Sequence, residues 1–495
     1  MRIIEHSNTK KKKLNKEHKI LAKNSFYSLL YSYSNFFFSI ITSIFIARLI
    51  SPEVWGFLIL AISLIAIFSL ILIFLPPGVG PSIIYYLSQF KVLNQNRKVK
   101  SLIRNSLLLR VLFIIPVYFL SILIFSVLID FFALNLKEYV FLFYILSPLI
   151  IINALNPILD DIIRAMNMFK IVYFLLVLKN GIYIGGLLWF FLDINPITVE
   201  KIAFLLVISS LIPFILNSLI VFYIIQVKTK KTTEEGLSFR ECIKKIYYYG
   251  TYFSIISMVS SFNKEIKTQL IGTFTPASMV TGYHIGTQYV GVSQAALSPI
   301  NRPLTISSTR LISKNQITQI PRIFNIIFNY SLFFILLING FLFYIVDIFL
   351  YLVYGGSFLI FSLLIKLLLI ANIFTILEPF LGSFLSAANK LKHQVAFISI
   401  FGFMKLLFFT IGLILFDIIG AIIFFLISNI ITTISFGILF NKFNIKLNVK
   451  KPLFIYLIFF ISILATIFLE LFILRDFYLL ILNNLNLLVF QHFNV

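Results

Sequence analysis

The chain has 495 residues, of which 60% are hydrophobic and 12% are charged, and its mean hydropathy is +1.01. This composition excludes an ordinary soluble globular protein, in which about a quarter of the residues are charged. The net charge of +23 comes from lysines and arginines that cluster between apolar runs. Such clusters are typical of membrane topology rather than of DNA or RNA binding. We therefore predict no nucleic-acid partner.

Residues for metal or cofactor chemistry are sparse. Cys242 is the single cysteine, and the five histidines are scattered without the spacing of metal ligands, which excludes an intrachain disulfide. The segment GVGPSI lacks the spacing of a dinucleotide or phosphate loop, and no GKS or GKT sequence occurs. The sequence predicts no metal, no cofactor and no ATP hydrolysis.

Long apolar runs recur along nearly the whole chain. Because a bilayer core needs about 20 apolar residues per helix, they predict an all-α integral membrane protein with 12 to 14 transmembrane helices. Whether 477–490 forms a fourteenth helix stays open. The other predicted spans are 25–47, 55–76, 106–129, 138–158, 171–192, 202–226, 247–272, 280–300, 323–350, 357–385, 394–416, 418–440 and 452–474.

The basic clusters predict the orientation of these helices. Lys10 to Lys13 precede the first span, which is too long for a cleavable signal peptide and is interpreted as a signal anchor. Lysines and arginines concentrate in the N-terminal segment and the even-numbered loops, which predicts a cytosolic N-terminus. The odd-numbered loops are short and leave no room for an extracellular catalytic domain.

The two halves of the chain contain related segments. NPILDDIIRAMNMFK at the end of helix 4 aligns without gaps with EPFLGSFLSAANKLK at the end of helix 10, which pairs Pro157 with Pro379. These matches predict two pseudo-symmetric six-helix bundles with a pathway between them, as in transporters built from parallel repeats. The predicted divisions are a basic cytosolic N-terminus (1–24), an N-terminal bundle (25–226), a cytosolic linker (227–246), a C-terminal bundle (247–440) and one or two additional helices (441–495).

Two segments carry a family resemblance. IARLISPEVWGFLILA at the end of helix 1 and LIGTFTPASMVTGYHIGTQYVG at the start of the second half resemble Wzx-type flippases of the multidrug/oligosaccharidyl-lipid/polysaccharide (MATE-like) superfamily. The resemblance covers the first twelve helices and implies a V-shaped pair of bundles that flips polyprenyl-linked oligosaccharides by alternating access. No substrate residue of the family falls in a matched motif.

Polar residues follow one face of helices 1, 7 and 8. Asn35 lies on such a stripe in helix 1, Lys264 in helix 7, and Gln288 and Arg302 in helix 8. Because polar groups facing lipid are costly, these faces predict the lining of the pathway. The alternative for the serines and threonines is that they pack helices and bond to the backbone.

Further ionisable residues lie deep in the predicted helices. Lys179, Lys267, Lys366 and Lys405 are cations that would attract a pyrophosphate in a water-filled vestibule; the alternative is snorkelling or pairing with carboxylates such as Glu265 or Glu378. Glu265 is also the candidate for ion coupling. The candidates for gating are Pro157 and Pro379 as bending points and Asp160, Asp161 and Arg164 as a charge network on the cytosolic side.

Together these features predict a multi-pass flippase of the cytoplasmic membrane. Its expected partners are a polyprenyl (pyro)phosphate-linked oligosaccharide, membrane lipids and polysaccharide-assembly proteins. The main alternative is an H⁺- or Na⁺-coupled multidrug-type exporter of small amphiphiles. An enzyme is disfavoured because no acid, base or metal-binding groups stand on a sizeable soluble loop, and a passive scaffold or scramblase is a third alternative.

Overall fold

The computed structural model describes residues 2–132, 140–193, 197–227, 235–313, 320–375 and 390–442, together with 378, 379, 382 and 385. Within these ranges the regular secondary structure is helical throughout, which confirms the all-α class. The predicted helix 452–474 and the segment 477–490 lie outside the described residues.

The described residues of the first half form eight α-helices. The turn after the first is fixed locally, because the Ser51 side chain accepts a hydrogen bond from the Val54 amide and Pro52 occupies the first helical position. In chain order the helices are α1 (Arg2–Leu49), α2 (Pro52–Phe74), α3 (Val79–Val92), α4 (Asn96–Phe132), α5 (Val140–Leu146), α6 (Pro148–Ala165), α7 (Phe169–Leu192) and α8 (Val199–Val227).

In the described part of the second half there are five α-helices. The first of them begins inside the predicted linker, with a reciprocal capping box between Ser238 and Glu241. The last is bent at Phe416 and Asp417, where the predicted helices 11 and 12 meet. The helices are α9 (Phe239–Phe274), α10 (Ala277–Ser313), α11 (Ile320–Phe349), α12 (Ser362–Ile373) and α13 (Leu391–Lys442), with a π-turn (Leu350–Tyr354) and a 3₁₀ turn (Gly356–Phe361) between α11 and α12.

Nine helical segments among the described residues are long and apolar enough to cross a membrane. The helices α9 and α10 are not among them, although both fall on predicted spans, because their polar stripes lower the mean hydropathy. The structure thus supports a multi-pass membrane protein. The number of crossings and the side on which the N-terminus lies stay predictions.

Helix α3 lies between the predicted spans 55–76 and 106–129 and was not predicted. The sequence LPPGVGP separates it from α2, and Gly78 takes a left-handed conformation with φ of 75°. Prolines and glycines end a helix, and the 14-residue segment that follows is too short for a span. The segment instead packs mainly against α6, α9 and α4.

A buried arginine stabilises the break between α2 and α3. Arg110 on α4 is 2% exposed, and its guanidinium donates to the carbonyl oxygens of Leu72 and, at 3.2 Å, Leu75. These carbonyls belong to the C-terminal end of α2, where the helix leaves acceptors unpaired and carries partial negative charge. Arg110 therefore supplies donors that lipid does not offer.

The two halves meet along α1, α2 and α3 on one side and along α9 and α10 on the other. The Gln269 amide donates to the carbonyl oxygen of Leu60 at 2.9 Å. Beyond the C-terminal end of α2, the backbones of Gly78 and Gly250 touch directly. A Cβ atom added to Gly250 would lie 2.2 Å from the carbonyl oxygen of Gly78. Small residues at this crossing let the helices approach closely.

Hydrogen bonds to backbone carbonyls also hold α12 among its neighbours. The Asn339 amide of α11 donates to the Leu369 carbonyl at 3.3 Å, and the Asn429 amide of α13 donates to the Ala371 carbonyl at 3.2 Å. Both asparagines are buried. Since lipid gives little hydrophobic drive for association between helices, such bonds and close packing define the bundle.

We expect Gly250→Ala to destabilise the contact between the halves. The added methyl group meets backbone atoms rather than a flexible side chain, and overpacking of this kind costs about 1–3 kcal/mol. The matched control is Gly185→Ala on α7, where a Cβ atom has nothing within 4 Å. Thermal unfolding in detergent should give a lower Tm for Gly250→Ala than for the control, and equal Tm values would contradict the close contact.

Candidate functional site

The two halves are joined at the predicted outer end by Arg48, at the C-terminal end of α1. Its Nε donates to the carbonyl oxygen of Val353 at 3.1 Å, and its Nη2 donates to that of Leu352 at 2.7 Å. Both acceptors lie in the π-turn that ends α11, where helix-terminal carbonyls attract a cation. Two charge-assisted hydrogen bonds therefore link the halves.

Aromatic packing seals the same end. Trp55 at the start of α2 is buried, and its ring packs against those of His284, Tyr354 and Phe358 of the other half at centroid distances of 6.0 to 6.4 Å. The Thr281 hydroxyl also donates to the Pro52 carbonyl at 2.6 Å. We refer to Arg48, Trp55 and Thr281 with these partners as the outer latch.

Gln288 connects α10 to α1 just inside the outer latch. The Ser43 hydroxyl donates to its Oε1 at 2.7 Å, and its Nε2 donates to the Ser39 hydroxyl at 3.1 Å. The same Nε2 lies 3.0 Å from Nε2 of His284. The structure thus brings together the polar faces predicted on helices 1 and 8, and it places His284 in a hydrogen-bond network.

The polar face of α1 becomes exposed with distance from the outer latch. Ser43 is buried, whereas Asn35 and Ser32, two and three turns nearer the N-terminus, are exposed. On α9, the Lys264 side chain is 67% exposed, with its ammonium 3.7 Å from the Glu265 carboxylate. Ser257, on the same stripe of α9, is also exposed. The chain thus presents exposed hydroxyl, amide and ammonium groups beneath a closed end.

Two of the predicted lining lysines have carboxylate partners in the C-terminal half. Lys366 lies 2.8 Å from Asp347, and Lys405 forms an ion pair with Glu378. Both lysine side chains are largely buried. These contacts correspond to the alternative of carboxylate pairing, which the sequence left open.

The other two deep lysines are also enclosed. Lys267 is 7% exposed, and its ammonium lies 3.8 Å from the ring centroid of Phe425 and 5.3 Å from that of Phe409, a cation–π arrangement. Lys179 on α7 is partly buried. Among the described lysines predicted to line the pathway, Lys264 is thus the most accessible.

The acidic gating candidates form a network within the N-terminal half. Asp161 lies 3.5 Å from Arg164, whose guanidinium is 5.1 Å from the ring centroid of Tyr31 on α1. Asp160 accepts a hydrogen bond of 2.8 Å from the Asn217 amide of α8. The network therefore ties α1, α6 and α8 together.

The proline candidates and Arg302 complete the predicted set. Pro157 lies inside α6 rather than at its end, and Pro379 is helical. Arg302 lies on α10, but its side chain is outside the described residues. Their roles stay predictions.

The outer latch itself was not predicted, although the sequence contained a signal for it. Arg48 stands at the predicted outer end of helix 1, where the positive-inside rule disfavours a basic residue. An arginine retained at such a place indicates a specific partner. Its acceptors are backbone carbonyls more than 300 residues away, which no side-chain pattern reveals.

Comparison with known proteins identifies relatives of the chain. A family model described as "Polysaccharide biosynthesis protein" matches residues 21–304, and no curated protein gives a significant match. A MATE family multidrug resistance transporter in its inward-facing conformation has a TM-score of 0.67 at 15% identity, covering 83% of this chain and 94% of that one. A Vibrio cholerae MATE transporter mutant has a TM-score of 0.59 at 17% identity, covering 86% and 96%.

An outward-facing MATE family transporter has a TM-score of 0.56 at 14% identity, covering 86% of this chain and 95% of that one. These likenesses show the fold alone, which is similar to that of MATE family transporters. The family model covers more than half of the chain. The chain therefore belongs to the polysaccharide biosynthesis protein family, the Wzx-type flippase family that its sequence resembles.

Proposed function

We propose that the chain is a flippase that moves a lipid-linked oligosaccharide across the cytoplasmic membrane by alternating access. The observation that carries the proposal is the gradient along α1, from Ser43 buried at the outer latch to Asn35 and Ser32 exposed toward the N-terminus. A polar surface closed at one end and exposed toward the other suits a substrate that enters from the predicted cytosolic side.

The exposed groups suit a sugar attached to a phosphate. Ser32, Asn35 and Ser257 offer neutral donors and acceptors for hydroxyl groups, and Lys264 offers an accessible cation for a phosphate or pyrophosphate. Charge-assisted hydrogen bonds to phosphate are among the stronger polar contacts. The polyprenyl tail would stay in the surrounding lipid, so the protein would bind only the polar head.

The conformation supports an inward-facing resting state. The outer latch joins the two halves at the predicted outer end, and the TM-score is higher for the inward-facing MATE family transporter than for the outward-facing one. We propose membrane lipids and polysaccharide-assembly proteins as further partners of the chain.

The alternative is a cation-coupled exporter of small amphiphiles. The similarity of the fold to that of a multidrug resistance MATE family transporter supports it. It requires a carboxylate that is available to a transported cation. The candidate Glu265 has the Lys264 ammonium 3.7 Å away, which weighs against this role.

We expect Lys264→Gln to slow flipping of a fluorescent polyprenyl-diphosphate oligosaccharide in proteoliposomes by about tenfold. The loss of one charged hydrogen bond costs about 1.5–3 kcal/mol, and about 1.4 kcal/mol corresponds to a factor of ten. Lys264→Arg, which keeps the charge, should retain most of the rate. The control is Lys201→Gln, at an exposed lysine near the start of α8; equal rates for the two Gln variants would contradict phosphate contact by Lys264.

We also expect Arg48→Met to weaken the outer latch and to populate the outward-open state. The test places a cysteine at Ser43, which is 2% exposed, in a Cys242→Ser background that removes the single native cysteine. Labelling by a membrane-impermeant maleimide added outside intact cells should rise by at least about tenfold, because each of the two hydrogen bonds to the charged group contributes about 1.5–3 kcal/mol. Arg104→Met, at an exposed arginine of α4, is the control, and unchanged labelling in Arg48→Met would show that the latch does not hold the closed state.

A further inference from the structure

One segment of the C-terminal half, residues 348–361, supplies acceptors and aromatic rings to the outer latch. It comprises the last two residues of α11 and the π-turn and 3₁₀ turn that lead to α12. The carbonyls that bind Arg48 and two of the rings that pack on Trp55 belong to it. These latch residues are Leu352, Val353, Tyr354 and Phe358. The position of this segment therefore determines whether Arg48 and Trp55 meet their partners.

The two ends of the segment are joined through one carboxylate. Asp347, on the last turn of α11, directly precedes it, and Ser362 and Lys366, on the first turns of α12, follow it. The Lys366 ammonium donates to Oδ2 of Asp347 at 2.8 Å, and the Ser362 hydroxyl donates to Oδ1. Both carboxylate oxygens thus bind the helix that follows the segment. We refer to these three residues as the α11–α12 clamp.

The surroundings of the clamp strengthen its ion pair. The side chains of Asp347 and Lys366 are 16% and 13% exposed, so water screens their attraction only weakly. The Lys366 ammonium also lies 5.5 Å from the ring centroid of Phe343, within the range of a cation–π contact. A carboxylate near the C-terminal end of a helix is unfavourable, whereas one at the start of a helix is favourable. The bonds to α12 therefore offset the unfavourable position of Asp347 on α11.

The segment between the clamped ends is irregular. Gly355 has a φ of 107°, and its amide donates to the carbonyls of Leu350 and Tyr351 at 3.0 and 3.1 Å. The Leu352 side chain is 48% exposed, so side-chain packing restrains this position little. Joining the ends of such a segment reduces the number of conformations that it can adopt. The clamp can thus preorganise the carbonyls for Arg48.

We propose that Asp347 and Lys366 are positioning residues of the outer latch. Their ion pair holds residues 348–361 in the conformation that presents carbonyls to Arg48 and aromatic rings to Trp55. The inference deepens the proposed function, because it rests on the outer latch as the outer gate and states how one side of that gate keeps its shape. Its own readout needs neither cargo nor a membrane.

The test uses the fluorescence of Trp55 in purified protein in detergent. Trp55 is 2% exposed, and Trp189→Phe leaves it as the single tryptophan. In this background the double variant Asp347→Leu/Lys366→Met removes both charges together, and replacing a buried ion pair by apolar groups often leaves a protein folded and stable. We expect the Trp55 emission to shift to longer wavelength and its quenching by acrylamide to increase, because the rings of the segment no longer cover the indole.

Two control variants separate positioning from stability. Lys366→Arg keeps the ion pair and should retain the emission and quenching of the background protein. Asn339→Ala removes the hydrogen bond to the Leu369 carbonyl, which joins the same two helices two turns away from the clamp. It should lower the Tm and leave the Trp55 emission unchanged.

Unchanged Trp55 emission and quenching in the folded double variant would overturn the proposal. An equal shift in Asn339→Ala would also overturn it, because any loosening of α11 against α12 would then suffice. If the double variant does not fold, Ser362→Ala removes one bond to Asp347 and should give a smaller shift in the same direction; no shift would contradict the clamp. A shift with undiminished flipping supports the clamp and counts against the latch as the gate of the proposed function.

Discussion

A membrane protein must satisfy its internal polar groups with its own atoms, because lipid provides no hydrogen bonds. In this chain the requirement determines several separate features. Arg110 binds the carbonyls freed where α2 ends, and Arg48 binds those freed where α11 ends. Lysines and an arginine lie beside carboxylates on the membrane helices. Hydrogen bonds from these arginines thus stabilise the break between α2 and α3 and close the predicted outer end of the bundle. Ion pairs neutralise charged side chains in its interior.

The contact between the halves combines a tight crossing with polar closure. At Gly78 and Gly250 the backbones touch with no space for a side chain, whereas at the predicted outer end Arg48 and Trp55 contact the other half through their side chains. Side-chain contacts of this kind can break one by one, while backbone contact fixes the distance between two helices. This difference suits a motion in which the latch opens and the Gly78–Gly250 crossing persists.

Much of the fold was predictable from the sequence because long apolar runs and clustered charges specify helices that span a bilayer. Helix α3 was missed because it is a short amphipathic segment that begins within the proline- and glycine-rich sequence LPPGVGP, which is typical of a loop. The site was harder to predict. Helical spacing identified Gln288 and the α1 stripe as polar faces, and the structure brings these faces into contact. Spacing along one helix does not reveal that Lys366 and Lys405 meet carboxylates from other segments. Nor does it reveal acceptors that are backbone carbonyls, as for Arg48.

The most direct test of the account is a flipping assay with purified wild-type protein in liposomes of defined lipid. A polyprenyl-diphosphate oligosaccharide is placed in the inner leaflet, and its appearance outside is followed with a membrane-impermeant lectin. The account predicts that lectin-accessible sugar increases only in liposomes that contain the protein, and that the same lipid lacking its sugar competes weakly. No increase over protein-free liposomes, together with protein-dependent export of a small cationic amphiphile, would contradict it.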